Sequence, residues 1–294
     1  MEKMWWQITG LAFLLKNSLI CTMSLFVTAL NSGSNGNCFY IGNNKEAVLV
    51  DAGISCRETE RRMERLGLSM KKVKAVFISH EHTDHVRGLR VLAKKYQLPV
   101  YSTLGTLRDT HLNPEHPFNH ILTPYQTLHI GTLEVTAFPK CHDAHDPQSF
   151  IIRQNDVCVG VLTDIGEACD HVIKHFKCCN AIFLEANYDT DMLMNGRYPY
   201  HLKRRIAGRF GHLSNQQALE LFLEHRPPFL SHLFLSHLSK ENNDPELVYS
   251  LFQTHAQEVE IVVTSREAEI PVYCINPNQV KTVVASVAQL SLFS

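Results

Sequence analysis

Apolar residues recur along most of the chain in short runs bounded by turn formers. LFVTAL (25–30), CFYI (38–41) and AVLVD (47–51) read as strands, separated by the Gly/Ser/Asn run 31–37 and by Gly42-Asn43-Asn44. SCRETERRMERL (55–66) has the spacing of a surface helix, with Ser55 as N-cap and Gly67 as its stop. KAVFIS (74–79) is a buried strand, VRGLRVLAKKY (86–96) a helix and PVYS (99–102) a strand. Residues 104–126, rich in Pro, His and Asn, predict a long loop or lid. LEVTAF (133–138), SFIIR (149–153), CVGVLTD (158–164) and AIFLEAN (181–187) are strands, with a helix over EACDHVIKHF (167–176). Helices follow near 199–208, 214–225 and 245–254, with strands at SHLFLSHLS (231–239), EIVVT (260–264) and PVYCI (271–275). Ser214, with Gln217 three residues on, predicts a capping box.

This mixture of short strands and interspersed helices fits an α/β class. It suits two mixed sheets between helices, a four-layer αββα sandwich in one domain, and also other α/β folds. Residues 24–275 are expected to form that domain. Residues 1–23 stand apart: their apolar run, Ile8 to Leu15, is cut by Lys16 and is too short to span a membrane. They read as a non-core extension ahead of a start at Met23, in preference to a weak membrane anchor, and residues 276–294 as a loosely attached tail.

Composition narrows the classes. Of 294 residues, 45% are apolar and 19% charged, which excludes a disordered chain. The net charge of −1 excludes nucleic-acid binding by bulk positive charge, but leaves room for a local basic stripe. Nine cysteines without a C-x-x-C pair read as reduced thiols, and so as a cytoplasmic protein with no stable membrane association. Histidine is in surplus: 17 residues, more than the 15 phenylalanines. Imidazole is both a metal ligand and a proton-transfer group at neutral pH, so the placement of these residues carries the reading.

The densest placement is His80-Glu81-His82-Thr83-Asp84-His85, directly after the strand KAVFIS. In extended backbone His80 and His82 point the same way and can grip one ion, and a turn after them sends Asp84 and His85 towards a second position. Imidazole and carboxylate without thiolate suits zinc, and also manganese or iron.

H-x-H-x-D-H after a strand resembles the signature of the metallo-β-lactamase fold hydrolases. The resemblance implies further residues in order, each after an apolar strand: Asp51 supporting the ligand loop, then His142, Asp164 and His237. It implies two divalent ions, Zn²⁺ or Mn²⁺. His80, His82 and His142 would hold one, and Asp84, His85 and His237 the other, with Asp164 bridging. The third ligand is His142, before Asp-Ala, in preference to His145. Two such ions lower the pKa of a shared water and clamp attacking and leaving oxygens, so the implied nucleophile is a metal-bridging hydroxide.

Other residues bear on the substrate. Glu185, ending a strand, and His212, just before a helix, resemble the pair by which ribonuclease Z-type nucleases protonate the leaving oxygen. They join Asp84 as the expected catalytic groups. The stretch RYPYHLKRRIAGR (197–209) sets Lys203, Arg204 and Arg205 among tyrosines, a pattern suited to phosphates and bases. LNSGSNGNCFYI, HDAxDP, LEANYD, KRRIxGxxGHLSN and LSHLSxEN together resemble the YycJ/WalJ-like branch of the fold, exonucleases of double-stranded DNA linked to DNA repair. Within the first motif Ser34 and Asn37 are expected to contact substrate. The resemblance thus implies a binuclear phosphodiesterase acting on nucleic acid, DNA ahead of RNA. The alternative is a hydrolase of a small ester, thioester or cyclic phosphodiester on the same fold.

Overall fold

The computed structural model describes residues 24–110 and 112–277. The expected N-terminal extension and the tail beyond residue 277 lie outside the described residues. In chain order the first half runs β1 (Leu25–Asn31), β2 (Cys38–Gly42), β3 (Ala47–Val50), α1 (Cys56–Arg65), β4 (Val73–Phe77), α2 (Thr83–Val86), α3 (Leu89–Tyr96), β5 (Val100–Ser102), α4 (Leu104–Asp109) and β6 (Asn119–Ile121). The second half runs β7 (Thr127–Ile130), β8 (Leu133–Pro139), β9 (Gln148–Gln154), β10 (Val157–Leu162), α5 (Asp170–Phe176), β11 (Ala181–Glu185), α6 (Thr190–Asn195), α7 (Tyr200–Ile206), α8 (Asn215–His225), β12 (His232–Ser236), α9 (Pro245–Gln253), β13 (Glu260–Val263) and β14 (Tyr273–Ile275).

The strands form two seven-stranded mixed sheets, ordered β14-β1-β2-β3-β4-β5-β6 and β13-β12-β11-β10-β9-β8-β7. Their inner faces meet over Phe39, Phe77, Phe150, Phe183 and Phe234, all fully buried. The outer face of the first sheet packs Met63 of α1 with Leu89 and Leu92 of α3. That of the second packs Phe176 of α5, Phe222 of α8 and Phe252 of α9. The result is a four-layer αββα sandwich. Burial on both faces explains why β3, β11 and β12 read as near-continuous apolar runs rather than alternating ones.

The helix expected over 86–96 is broken at Gly88. A Cβ there would lie 1.9 Å from the carbonyl oxygen of Ile54, so the backbone turns where it must pass another backbone closely. The segment 104–126 is not a bare loop. It contains α4, capped by the Thr103 side chain on the Thr106 amide, and the edge strand β6. α6, capped by Asp189, and the half-exposed edge strand β7 also escape the pattern, being too short to show a period.

The fold gathers the ends of both sheets on one side. Asp51 follows β3, His80 follows β4, His142 follows β8, Asp164 follows β10, Glu185 ends β11 and His237 follows β12. Ligand sites of open α/β sheets lie at such carboxyl ends.

Candidate active site

Asp51, Asp164 and His237 are held at φ 60°, 55° and 57°, a left-handed conformation uncommon outside glycine. Each sits just after its strand, and such strain persists where the surroundings over-determine it, commonly at functional sites. For Asp51 those surroundings are clear. Its Oδ1 accepts from the Ser79 amide at 2.8 Å, and its Oδ2 accepts from Ser79 Oγ at 2.9 Å and His85 Nδ1 at 2.7 Å. The buried carboxylate thereby fixes the start of the His80–His85 loop and the tautomer of His85, leaving Nε2 as its donor atom.

Two groups of donor atoms follow. His80 Nε2 lies 3.0 Å from His82 Nδ1, which is 3.4 Å from His142 Nε2. His142 donates Nδ1–H to the Gly211 carbonyl at 3.0 Å, again freeing Nε2. On the other side, Asp84 Oδ2 is 3.5 Å from both His85 Nε2 and His237 Nε2. Asp164 stands between: Oδ2 is 3.2 Å from His85 Nε2, and Oδ1 is 3.8 Å from His142 Nε2. His145, the alternative third ligand, does not join His80 and His82. It is exposed and pairs with Asp109 beside Glu81.

The donor set fits divalent cations. Asp164 Oδ2 and His237 Nε2 are buried without a hydrogen-bond partner among the described residues, and the 3.2 Å approach of His85 to Asp164 lacks hydrogen-bond alignment. Buried polar atoms left this way are costly unless something binds them. Burial and neighbouring cations press in the same direction. Desolvation pushes His80 well down and His142 to about 4, keeping both imidazoles neutral and able to ligate. Burial disfavours the charges on Asp84 and Asp164, but the histidines around them hold both carboxyls far below their ordinary range.

Glu185 is fully buried and its acceptor sites are filled. Oε1 takes Nδ1 of both His212 and His237 at 2.8 Å, and Oε2 takes the amides of Ile165 at 2.7 Å and Leu213 at 3.2 Å. Burial opposes its ionisation, yet His212 and His237 bring it down to about 2. His212 has nothing to do with capping α8: Ser214 and Gln217 form the expected capping box. Its ring instead lines a cavity of about 200 Å³, shared with His82, Asp84, His142, Asp164, Arg205 and His237.

Of the expected substrate contacts, Ser34 and Arg205 line this cavity, with the Arg205 Nε on Asp143 Oδ2 at 2.5 Å. Lys203 is turned to the Met194 carbonyl at 2.7 Å, and Arg204 lies over the Tyr200 ring. Asn37 departs from the expectation. It is fully buried, and its amide contacts His85 Nε2 at 3.1 Å and Asp84 Oδ2 at 3.3 Å, so it supports the donor loop from beneath. Of the two histidines one turn apart on α5, His171 is exposed, but His175 stacks on Phe138 at 3.9 Å.

Sequence reasoning missed three supports. Ser79 links Asp51 to His80, Asn187 donates to the His237 carbonyl at 2.7 Å, and the buried Lys140 donates to the Thr163 carbonyl at 2.7 Å beside Asp164. The available signals were weak: a serine ending the strand before His80, and an Asn two residues after Glu185.

Comparison with known proteins agrees with this geometry. The chain is 36% identical over 232 residues to the exodeoxyribonuclease YycJ of Bacillus anthracis, covering 76% of this chain and 86% of that one. It is 32% identical over 225 residues to the exodeoxyribonuclease WalJ of Streptococcus pneumoniae, covering 75% and 84%. The crystal structure of the metallo-β-lactamase fold protein YhfI from Bacillus subtilis superposes with a TM-score of 0.66 at 17% identity, covering 86% of this chain and 99% of that one, a likeness of fold. The β-lactamase superfamily domain matches residues 46–237, a span that includes every residue of the clustered His/Asp site, and the chain belongs to that family of metal-dependent hydrolases with the metallo-β-lactamase fold.

Proposed function

We propose that the protein is a metal-dependent exonuclease that hydrolyses phosphodiester bonds at the ends of double-stranded DNA. The observation that carries this reading is His212, fixed through Nδ1 by Glu185 on the wall of the cavity that opens onto the donor cluster. A small ester with a good leaving group needs no such residue, whereas a phosphodiester must expel an alkoxide. The names of the YycJ and WalJ relatives support the same class.

In this reading His80, His82 and His142 would hold one divalent ion and Asp84, His85 and His237 a second, with Asp164 available to both. Zn²⁺ and Mn²⁺ both suit these ligands. Such ions supply positive charge opposite the phosphate and a water of lowered pKa. The chain's own contribution is positioning and proton transfer. Arg205 and Ser34 face the phosphate from the cavity wall. Glu185 occupies His212 Nδ1, so Nε2 is the nitrogen that hands a proton to the leaving oxygen as its bond to phosphorus breaks and the water oxygen's bond forms. Among the described residues no helix is long and apolar enough to cross a membrane. The described cysteines are free thiols, as suits a reducing compartment such as the cytoplasm.

The small size of the cavity favours a second reading, hydrolysis of a compact ester. Charge reversal at Arg204, which lies over Tyr200 on α7 and outside the cavity lining, separates the two. A nuclease loses activity on DNA while retaining bis(4-nitrophenyl) phosphate hydrolysis to a much larger extent. An esterase shows no DNA hydrolysis to lose.

A further inference from the structure

Phe210 is 54% exposed, and the chain around it is not loose. The Gly211 amide donates to the Gly208 carbonyl at 2.8 Å, and the His212 amide donates to the Ile206 carbonyl at 2.8 Å. A Cβ at Gly211 would lie 2.1 Å from the Ile206 oxygen, and one at Gly166 would lie 2.0 Å from the Arg209 oxygen. The loop from α7 to His212 is therefore pressed against its neighbours with no room for a side chain at either glycine. The Gly166 amide is itself bonded to the Cys141 carbonyl at 2.7 Å, next to His142. Phe210 is thus held on a rigid support, two residues from His212 and one from Gly211, both of which line the cavity. Its ring faces Arg209, whose guanidinium lies 5.7 Å from the ring centroid and is anchored to Glu167 at 2.7 Å. The same pairing recurs on α7, where Arg204 lies 6.0 Å over the ring of Tyr200, 74% exposed.

An exposed aromatic at a mobile tip needs no explanation. A fixed one, backed by a cation and adjacent in the chain to the cavity-lining Gly211 and His212, has the form of a stacking platform for an unpaired base. We infer that Phe210 stacks on a base of the nucleic-acid end, so that the terminus enters the site unpaired and the base is held while its phosphate is cut. This rests on the nuclease reading. It goes beyond it by naming what is recognised outside the phosphate: a splayed single-stranded end, without a base-edge code. Stacking tolerates any base, as digestion without a base-edge code requires, and it offsets part of the cost of opening the last pair.

The test compares wild type, Phe210→Ala, Phe210→Leu and Phe210→Tyr on end-labelled DNA duplexes with normal bases or with abasic residues at the three terminal positions. First-cut kcat/KM is measured with added Mn²⁺, and binding by fluorescence anisotropy. Phe210→Ala and Phe210→Leu are expected to lose about tenfold or more in kcat/KM and affinity on the normal duplex. Phe210→Tyr should stay near wild type, and all variants should be equal on the abasic duplex. An unchanged melting temperature shows that the fold is intact. Equal activity of Phe210→Ala and wild type on normal ends overturns the inference, as does a loss that persists in full on abasic ends. If wild type binds DNA in a Phe210- and base-dependent way but does not cut it, the nuclease reading fails and the stacking site stands. If it neither binds nor cuts, both fall.

Discussion

Glu185 Oε1 lies 2.8 Å from His237 Nδ1, and the same oxygen lies 2.8 Å from His212 Nδ1. One carboxylate oxygen therefore orients both a residue of the donor cluster and the proposed proton donor. Glutamine cannot accept at its nitrogen and must lose either both rings on Oε1 or both amides on Oε2. Glu185→Gln is expected to weaken metal retention about 10–100-fold and to lower kcat about 10²–10⁴-fold together. His212→Ala should lower kcat by a similar factor with metal content unchanged. Elemental analysis after dialysis, alongside kcat, separates these effects.

The choice between His142 and His145 has a direct consequence. His142 Nε2 faces His82, whereas His145 is bound to Asp109 at the surface. His142→Ala should reduce the bound divalent metal and abolish activity. His145→Ala should leave both close to wild type, as metal titration will register.

Asp51 supports the donor loop without being a ligand in the proposed scheme. Removing its carboxylate leaves the Ser79 amide and His85 Nδ1 buried without their acceptor. Asp51→Ala should cost about 3–5 kcal/mol in urea unfolding and should lower metal affinity as well.

Arg62 of α1 is buried and ties the end of β1 to the segment before β14. It donates to the Leu30 carbonyl at 2.7 Å, to Asn31 Oδ1 at 2.7 Å, to the Glu267 carbonyl at 3.0 Å and to Glu58 at 2.6 Å. Partial burial disfavours the charge on Glu58, but Arg62 and Arg61 outweigh it and lower its pKa. Glu269, bonded to Arg65, is lowered in the same way. A depressed carboxyl contributes stability above its unfolded pKa, near 4.3, and that part is lost as pH falls through the folded value. Arg62→Ala should cost about 2–4 kcal/mol near pH 7, mostly from the carbonyls left unpaired. The cost should be smaller at pH 3, measured by denaturation of metal-free protein.

How legible the site was depends on how local each part is. The His80–His85 loop is contiguous, so its chemistry can be read directly, whereas Asp164 and His237 are reached through the family resemblance, each following an apolar run in the implied order. The strands themselves are legible because burial on both faces makes them continuous. What escapes is set by contacts between distant segments. Asn37 sits in a turn typical of an anion contact, yet the fold buries it beneath His85 and Asp84. Lys140, a residue type seldom fully buried, is enclosed beside Thr163 with nothing local to signal it. Gly88 breaks a helix only because Ile54 passes over it. Phe210 has no motif, and its place beside His212 follows from backbone packing at Gly166 and Gly211.

The most direct test of the account is digestion of an end-labelled DNA duplex by wild-type protein and Asp164→Ala, with and without added Mn²⁺ or Zn²⁺. The account predicts metal-dependent shortening from an end by wild type and none by Asp164→Ala. Equal digestion by the two proteins, or digestion that persists after metal removal, would contradict it.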